Sequence, residues 1–127
     1  MRYFLSLALL FSLAACDSTS TNDINEGEPA AFSVHLQTHY SNTPVQIELD
    51  GETVFDNTVS TDYVLGRATS FPVDIKQGEH RLHATVNGRT EASRTFTVGD
   101  TLNVAVNYDP DGEQIAFSSR EEPYLYY

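Results

Sequence analysis

The sequence predicts an all-β fold, a single antiparallel β-sandwich of seven to eight short strands. Apolar and polar side chains alternate through residues 31–119, and no segment there has the i, i+3, i+4 spacing of an amphipathic helix. Glycine, asparagine, aspartate and proline, which favour turns, separate the alternating runs. A chain of 127 residues has room for one domain, so these runs are expected to share one core.

Six runs carry the alternation, and in each run the apolar side chains are expected to face the core. In chain order, the apolar positions are Phe32, Val34 and Leu36; Val45, Ile47 and Leu49; Phe71, Val73 and Ile75; Leu82, Ala84 and Val86; Leu102, Val104, Val106 and Tyr108; and Ile115 with Phe117. Return strands through Phe55 and through Phe96 complete two hairpins. The sandwich then has seven or eight strands.

The phase of the strands predicts the lengths of three hairpin loops. At Asp50 and Gly51 a strict two-residue turn would leave Phe55 on the polar face, so a three-residue loop with a glycine bulge is predicted. The same loop is predicted at Asn87, and a four-residue loop at 109–112. The expected cross-strand pairs are Val45 with Phe55, Leu82 with Ala92, Val106 with Ile115, and Val104 with Phe117.

Two short patterns in the middle of the chain resemble a known class of module. The run from Val45 ends in Asp50 and Gly51, and a later strand opens with Gly78 and His80. This arrangement is similar to PEGA-like and other immunoglobulin-like modules of bacterial surface proteins, although the Pro-Glu-Gly-Ala tetrad is absent. The resemblance implies an immunoglobulin-like sandwich and no particular ligand.

The first 15 residues have the organisation of an export signal. Arg2 is followed by a largely apolar run from Phe4 to Leu13, which is too short to span a bilayer as a permanent helix. The run ends in Leu13, Ala14, Ala15 and Cys16. These four residues resemble the lipobox of bacterial lipoproteins, in which the cysteine receives a diacylglycerol, the signal is cut before it, and the new amino terminus is acylated. An ordinary signal cut after Ala15 is the alternative.

The resemblance implies three segments and an address. Residues 1–15 form the lipoprotein signal peptide, 16–30 a lipidated flexible tether with a reach of roughly 20 Å, and 31–127 the β-sandwich domain. The tether is polar and aperiodic, so it cannot bury enough surface to fold alone. The protein is therefore expected to be exported and held on a bacterial membrane through lipid on Cys16, with the inner and outer membranes both open.

Composition limits the chemistry that the domain can perform. The formal charge of −11 disfavours nucleic acid, which requires a basic surface. Cys16 is the single cysteine, so the domain has no disulfide or thiolate site. No nucleophile-elbow motif or glycine-rich phosphate loop is present, and we expect neither an enzyme nor a cofactor. His35 and His39 would lie about 13 Å apart along a strand, too far to share a metal ion, so solvated histidines are expected.

Two segments remain as candidate sites. Asp109, Asp111 and Glu113 resemble a fragment of a calcium loop, although three carboxylates supply fewer oxygens than calcium requires. The chain ends in Tyr124, Leu125, Tyr126 and Tyr127, which could be an interaction tail or a last strand packed on its own domain. The expected function is a non-catalytic sandwich for protein interaction or structural display in the cell envelope. The alternative is a module that binds a small ligand, either calcium or a carbohydrate. For a carbohydrate, Tyr63, Tyr108 and Tyr124 are the tyrosines expected to be exposed for stacking on a sugar.

Overall fold

A computed structural model of the chain describes residues 24–126. Within that range the chain forms eight strands, and no helix there is long and apolar enough to cross a membrane. The strands are β1 (Pro29–Leu36), β2 (Thr43–Leu49), β3 (Glu52–Val59), β4 (Thr69–Lys76), β5 (Gly78–Val86), β6 (Thr90–Val98), β7 (Thr101–Asp109) and β8 (Gln114–Arg120). The predicted all-β class and strand number are confirmed.

The strands form two four-stranded sheets, ordered β4-β1-β7-β8 and β3-β2-β5-β6. Neighbouring strands are antiparallel with one exception, because β1 and β7 run in parallel with Val34 beside Val104. The expectation of a wholly antiparallel sandwich was wrong at this pair. Residues 37–100, which lie between the two strands and build β2 to β6, provide the long connection that a parallel pair requires.

The core lies between the two sheets and is built from alternate residues of the strands, as the sequence predicts. Tyr40, from the loop between β1 and β2, is the largest of the fully buried side chains. The remaining buried apolar residues that form the core cluster are Phe32, Val34, Leu36, Val45, Ile47, Leu49, Val59, Leu82, Ala84, Val86, Phe96, Val98, Leu102, Val104, Val106 and Tyr108.

The hairpin between β2 and β3 differs from the predicted three-residue loop. Asp50 and Gly51 form a two-residue turn with φ values of 54° and 86°, the positive pair that matches the twist of a hairpin. The extra residue is Val54, since Ile47 lies opposite Phe55 and the next pair skips one position. The inference that Phe55 packs against the core is correct, but a bulge inside β3 places it there.

The other two loops have the predicted lengths, but the cross-strand residue pairs beside them differ from the predicted pairs. Residues 87–89 connect β5 to β6, with Ala84 rather than Leu82 opposite Ala92. Residues 110–113 connect β7 to β8, with Val106 opposite Phe117. Each loop lies one residue further along the chain than expected, so the partner of each residue shifts by two positions. A shift of two residues preserves the face of every side chain, so the pattern could not detect it.

The two long sides of the sandwich differ. On one side β6 packs against β8, where Phe96 and Phe117 meet edge to face at 6.2 Å and Arg94 donates to the Phe117 carbonyl. On the other side lie β3 and β4, where Phe55 stacks on Phe71 at 4.8 Å. A row of apolar side chains on that side is only partly buried: Val54, Phe55, Phe71, Val73 and Ile75. The side formed by β3 and β4 is therefore the open side.

Candidate functional site

Several predicted features lie outside the described residues. These are the signal segment 1–15, the lipidation residue Cys16 and the last tail residue, Tyr127. The described part begins inside the predicted tether range of 16–30. There the Asn25 amide donates to Gln77 Oε1 at 2.9 Å, and the Gln77 amide donates to the Glu28 carbonyl at 2.7 Å. The chain from Asn25 onward is thus bound to the end of the sandwich where β1 begins.

In the loop with Asp109, Asp111 and Glu113, two of the three carboxylates already have partners. Asp109 Oδ1 accepts from the amides of Asp111 and Gly112, at 3.0 and 3.4 Å. Glu113 Oε2 accepts from Arg89 at 2.9 Å. The carboxylate of Asp109 therefore serves a turn and that of Glu113 an ion pair. Among residues 24–126, no group of three His, Cys, Asp or Glu side chains is placed to hold a metal ion.

The C-terminal tail lies on the outer face of β1 and β7. The Tyr126 hydroxyl accepts from Gln37 Nε2 at 3.0 Å, and Arg67 lies 4.7 Å above the Tyr126 ring. Asn103 Nδ2 donates to the carbonyls of Glu121 and Glu122 at 3.2 and 3.1 Å. Residues 121–126 pack on their own domain without forming a strand.

Two of the tail residues differ in exposure. Tyr124 is half-buried, with its ring 4.9 Å from that of His35. Leu125 is 68% exposed. Tyr124 and Tyr126 thus turn inward and Leu125 outward, as alternate positions of an extended segment would.

His35 connects the tail to the sheet. Its Nδ1 lies 2.9 Å from the Tyr126 hydroxyl, and its Nε2 lies 2.9 Å from Ser33 Oγ. Because Ser33 donates to Asn103 Oδ1, the neutral ring can donate from Nε2 and accept from Tyr126 at Nδ1. Burial lowers the pKa of His35 and outweighs the opposing effect of the Asn103 side chain, and the charge of Arg67 lowers it further. The expectation of a solvated histidine was wrong here.

A second histidine joins the two sheets at the end of the sandwich where β1 begins. His80 Nδ1 lies 2.6 Å from Asp50 Oδ2, and its Nε2 lies 2.6 Å from the Lys76 carbonyl. Both partners are acceptors, so the arrangement suits the doubly protonated ring. Asp50 Oδ1 also accepts from the Arg81 amide at 2.9 Å. His80 thereby ties the β2–β3 turn to the end of β4 in the opposite sheet.

The contact between Asp50 and His80 shifts their pKa values in opposite directions. Burial alone lowers the pKa of His80, but its hydrogen bonds to Asp50 and Lys76, together with the Asp50 charge, raise it above 6.5. Burial alone raises the pKa of Asp50, but the hydrogen bonds from His80 and Arg81 lower it below 3.8. His80 therefore stabilises the fold below pH 6.5, and this contribution is lost as pH rises through its raised pKa. The Asp50 contribution is lost as pH falls through its lowered pKa.

We expect His80→Gln to destabilise the domain most at about pH 5 and least above about pH 8. Both stability contributions are fully present only between pH 3.8 and 6.5, the ordinary pKa values that Asp50 and His80 have in the unfolded chain. Urea unfolding of both proteins across this range gives the difference in unfolding free energy. Taking the difference cancels the opposite contribution of His35, whose lowered pKa favours the folded state above pH 6.5. A difference that does not vary with pH would show that His80 is uncharged.

Next to His80 a groove of about 500 Å³ opens between the sheets on the open side. Its apolar floor is formed by Leu49, Val54, Val73 and Ile75. The bulge in β3 contributes to the groove, because it packs both Val54 and Phe55 against the core. The other residues that line the groove are Gly51 and the polar residues Asp50, Glu52, Asp74, Lys76 and His80.

The opposite end of the sandwich exposes a different apolar group. Tyr63 and Val64, in the loop between β3 and β4, are 71% and 86% exposed. In contrast, Tyr108 is buried, with its ring 6.2 Å from that of Tyr40. Of the three tyrosines expected to be exposed for stacking on a sugar, Tyr63 is exposed, Tyr124 is half-buried and Tyr108 belongs to the core.

The groove is the principal feature that the sequence did not predict. The alternation assigned Val73 and Ile75 to the core face, but it could not show that β3 and β4 would leave that face partly open. The Val54-Phe55 pair, two adjacent apolar residues in an alternating strand, is the local signal of the bulge that helps form the groove.

Known proteins provide no assignment for this chain. A scan against family models finds no match, and a search of the curated proteins finds no relative. Function is therefore inferred from the residues and surfaces described above.

Proposed function

We propose that this chain is a lipid-anchored bacterial envelope protein that binds another protein without catalysing a reaction. The observation that carries the binding role is the groove on the open side, whose apolar floor is only partly buried within one chain. Partly exposed apolar surface with a polar rim is typical of interaction sites. The proposed anchor is supported by the lipobox at Leu13 to Cys16.

The position of the groove suits a partner close to the membrane. β1 begins at the end of the sandwich that also carries the Asp50 turn and Gln77, and the groove opens beside the same turn. A chain anchored at Cys16 enters the domain at this end. We therefore propose that the groove side meets envelope proteins near the anchoring membrane, while Tyr63 and Val64 point away from it.

Photo-crosslinking in intact cells tests this function. A photoreactive amino acid in place of Lys76, an exposed residue of the groove, should give one discrete adduct. The matched control is Thr97, which is exposed on β6 of the opposite side and should give none. Adding Val73→Gln, which puts an amide into the apolar floor, should abolish the Lys76 adduct. An adduct that survives Val73→Gln, or identical adducts from both positions, would contradict binding at the groove.

A further inference from the structure

We propose that the groove between β3 and β4 takes a short extended segment of a partner protein in which an apolar side chain is flanked by lysine or arginine. This inference rests on the proposed protein-binding function and names the chemistry of its partner. The groove supplies one feature for each part of that segment: an apolar floor, an acidic rim and a restricted strand edge.

The floor selects an apolar side chain. Val54, Val73 and Ile75 pack against the core from one side and remain partly exposed on the other. Leu49 is 5% exposed and closes the bottom of the groove. An aliphatic or aromatic side chain placed there would complete the core at this edge, since burial of apolar surface is favourable in proportion to area.

The rim selects positive charge. Glu52 on β3 and Asp74 on β4 are both exposed and stand on opposite sides of the groove. Asp50 already binds His80 and the Arg81 amide, and Lys76 is the one lysine or arginine among the lining residues. Two carboxylates thus remain to meet cations on either side of the apolar residue. The total charge of −11 adds long-range attraction for a basic partner.

The edge of β4 limits the length of the bound segment. The Gln77 amide donates toward β1. In an antiparallel pair the backbone groups of alternate residues face the partner strand, so those of Pro72, five residues earlier, face away from β1. The outward nitrogen of Pro72 has no hydrogen to donate to a bound segment. The outward Lys76 carbonyl already accepts from His80. Only the backbone around Asp74 is available between these positions, so side chains rather than a continuous ladder provide recognition.

The charges argue against two other occupants. Residues 17–23 of this chain read Asp-Ser-Thr-Ser-Thr-Asn-Asp and contain neither a basic nor an apolar side chain. A second copy would bring another net charge of −11 to an acidic rim. A basic and apolar segment of a different protein fits the floor and the rim together.

Peptide binding to the full-length, detergent-solubilised protein tests this inference. The probe is a fluorescent peptide of sequence GKLKVKG, and its anisotropy is measured at low and at physiological salt. We expect binding that weakens with salt and falls about tenfold in the double variant Glu52→Gln, Asp74→Asn. The first control is the double variant Asp111→Asn, Glu121→Gln, which removes the same charge elsewhere and should change binding little. The second control is the peptide GKSKSKG, which keeps the lysines but lacks the apolar side chains and should bind only weakly to the wild-type protein.

Three outcomes would overturn the inference: no binding of GKLKVKG to the wild-type protein, equal losses in the two double variants, or equal binding of GELEVEG. These outcomes are distinct from failure of the proposed function. If the Lys76 adduct in cells depends on Val73 while the basic peptide does not bind, the groove binds a protein and the assigned partner chemistry is wrong. If the Lys76 adduct does not depend on Val73 and the basic peptide does not bind, both the binding function and the assigned partner chemistry are wrong.

Discussion

Replacing Tyr40 by alanine should lower the unfolding free energy by about 3–5 kcal/mol, the range for removing a buried aromatic side chain. Tyr40 is 1% exposed and is the largest of the fully buried residues. Its ring stacks beside Tyr108 at 6.2 Å, and its hydroxyl donates to the Val106 carbonyl at 2.7 Å. The loss is a large fraction of the about 5–15 kcal/mol that stabilises a typical domain. Thermal unfolding should show a Tm lowered by more than about 12 °C.

A second substitution separates the ring from the hydroxyl. Tyr40→Phe should cost about 1 kcal/mol, since the Val106 carbonyl still accepts from the Gln37 amide at 3.3 Å and is not left unpaired. The control is Tyr63→Ala, which removes a side chain that is 71% exposed and should change stability by less than about 0.5 kcal/mol. Similar losses from Tyr40→Ala and Tyr63→Ala would contradict the buried position of Tyr40.

Replacing Cys16 by serine should abolish the mature, membrane-bound form of the protein. The proposed anchor depends on the cysteine sulfur, and each buried CH₂ of an acyl chain contributes about 0.8 kcal/mol to membrane binding. Serine has no thiol to accept the diacylglycerol. We expect the variant to appear either as an unprocessed precursor or as soluble protein. Cell fractionation, labelling with a fatty acid and mass measurement of the amino terminus distinguish these forms.

Ser18→Ala is the matched control for the lipid anchor. It changes a hydroxyl two residues after the proposed modification site and should leave lipid labelling and fractionation unchanged. If Cys16→Ser still fractionated as a mature membrane protein, the lipobox interpretation would be wrong and the ordinary signal peptide would replace it. The groove would keep its proposed binding role in that case, because its geometry does not depend on the anchor.

The sequence predicted the strands and which side chains face the core, but it did not predict most of the side-chain hydrogen bonds. The alternation placed Val34, Ile47 and Leu82 in the core, and each of them is fully buried. It assigned the histidines to solvated strand faces, whereas His35 and His80 use both ring nitrogens in hydrogen bonds. A histidine at a given strand position looks the same in sequence whether its neighbours are water or side chains. The neighbours decide the protonation of the ring.

The contacts of the tail and of Tyr40 could not be predicted either, because their partners are distant in the sequence. Tyr126 binds His35 from 91 residues away, and the Tyr40 hydroxyl binds Val106 from 66 residues away. The sequence left two roles open for the tyrosines of the tail. The choice between an interaction tail and self-packing nevertheless depended on whether the outer face of β1 offered polar partners at that position. Sequence spacing contains no information on such a face.

The sequence by itself determined the β class and the core side of each alternating strand, since these properties depend on residues near one another in the chain. A period of two specifies the face of a side chain and is unchanged by a register shift of two residues. Strand order, the parallel pair of β1 and β7, the bulge at Val54 and the groove beside it were decided only when the two sheets packed together. These features depend on contacts between distant strands, where packing and hydrogen bonding select one arrangement among several that the pattern allows.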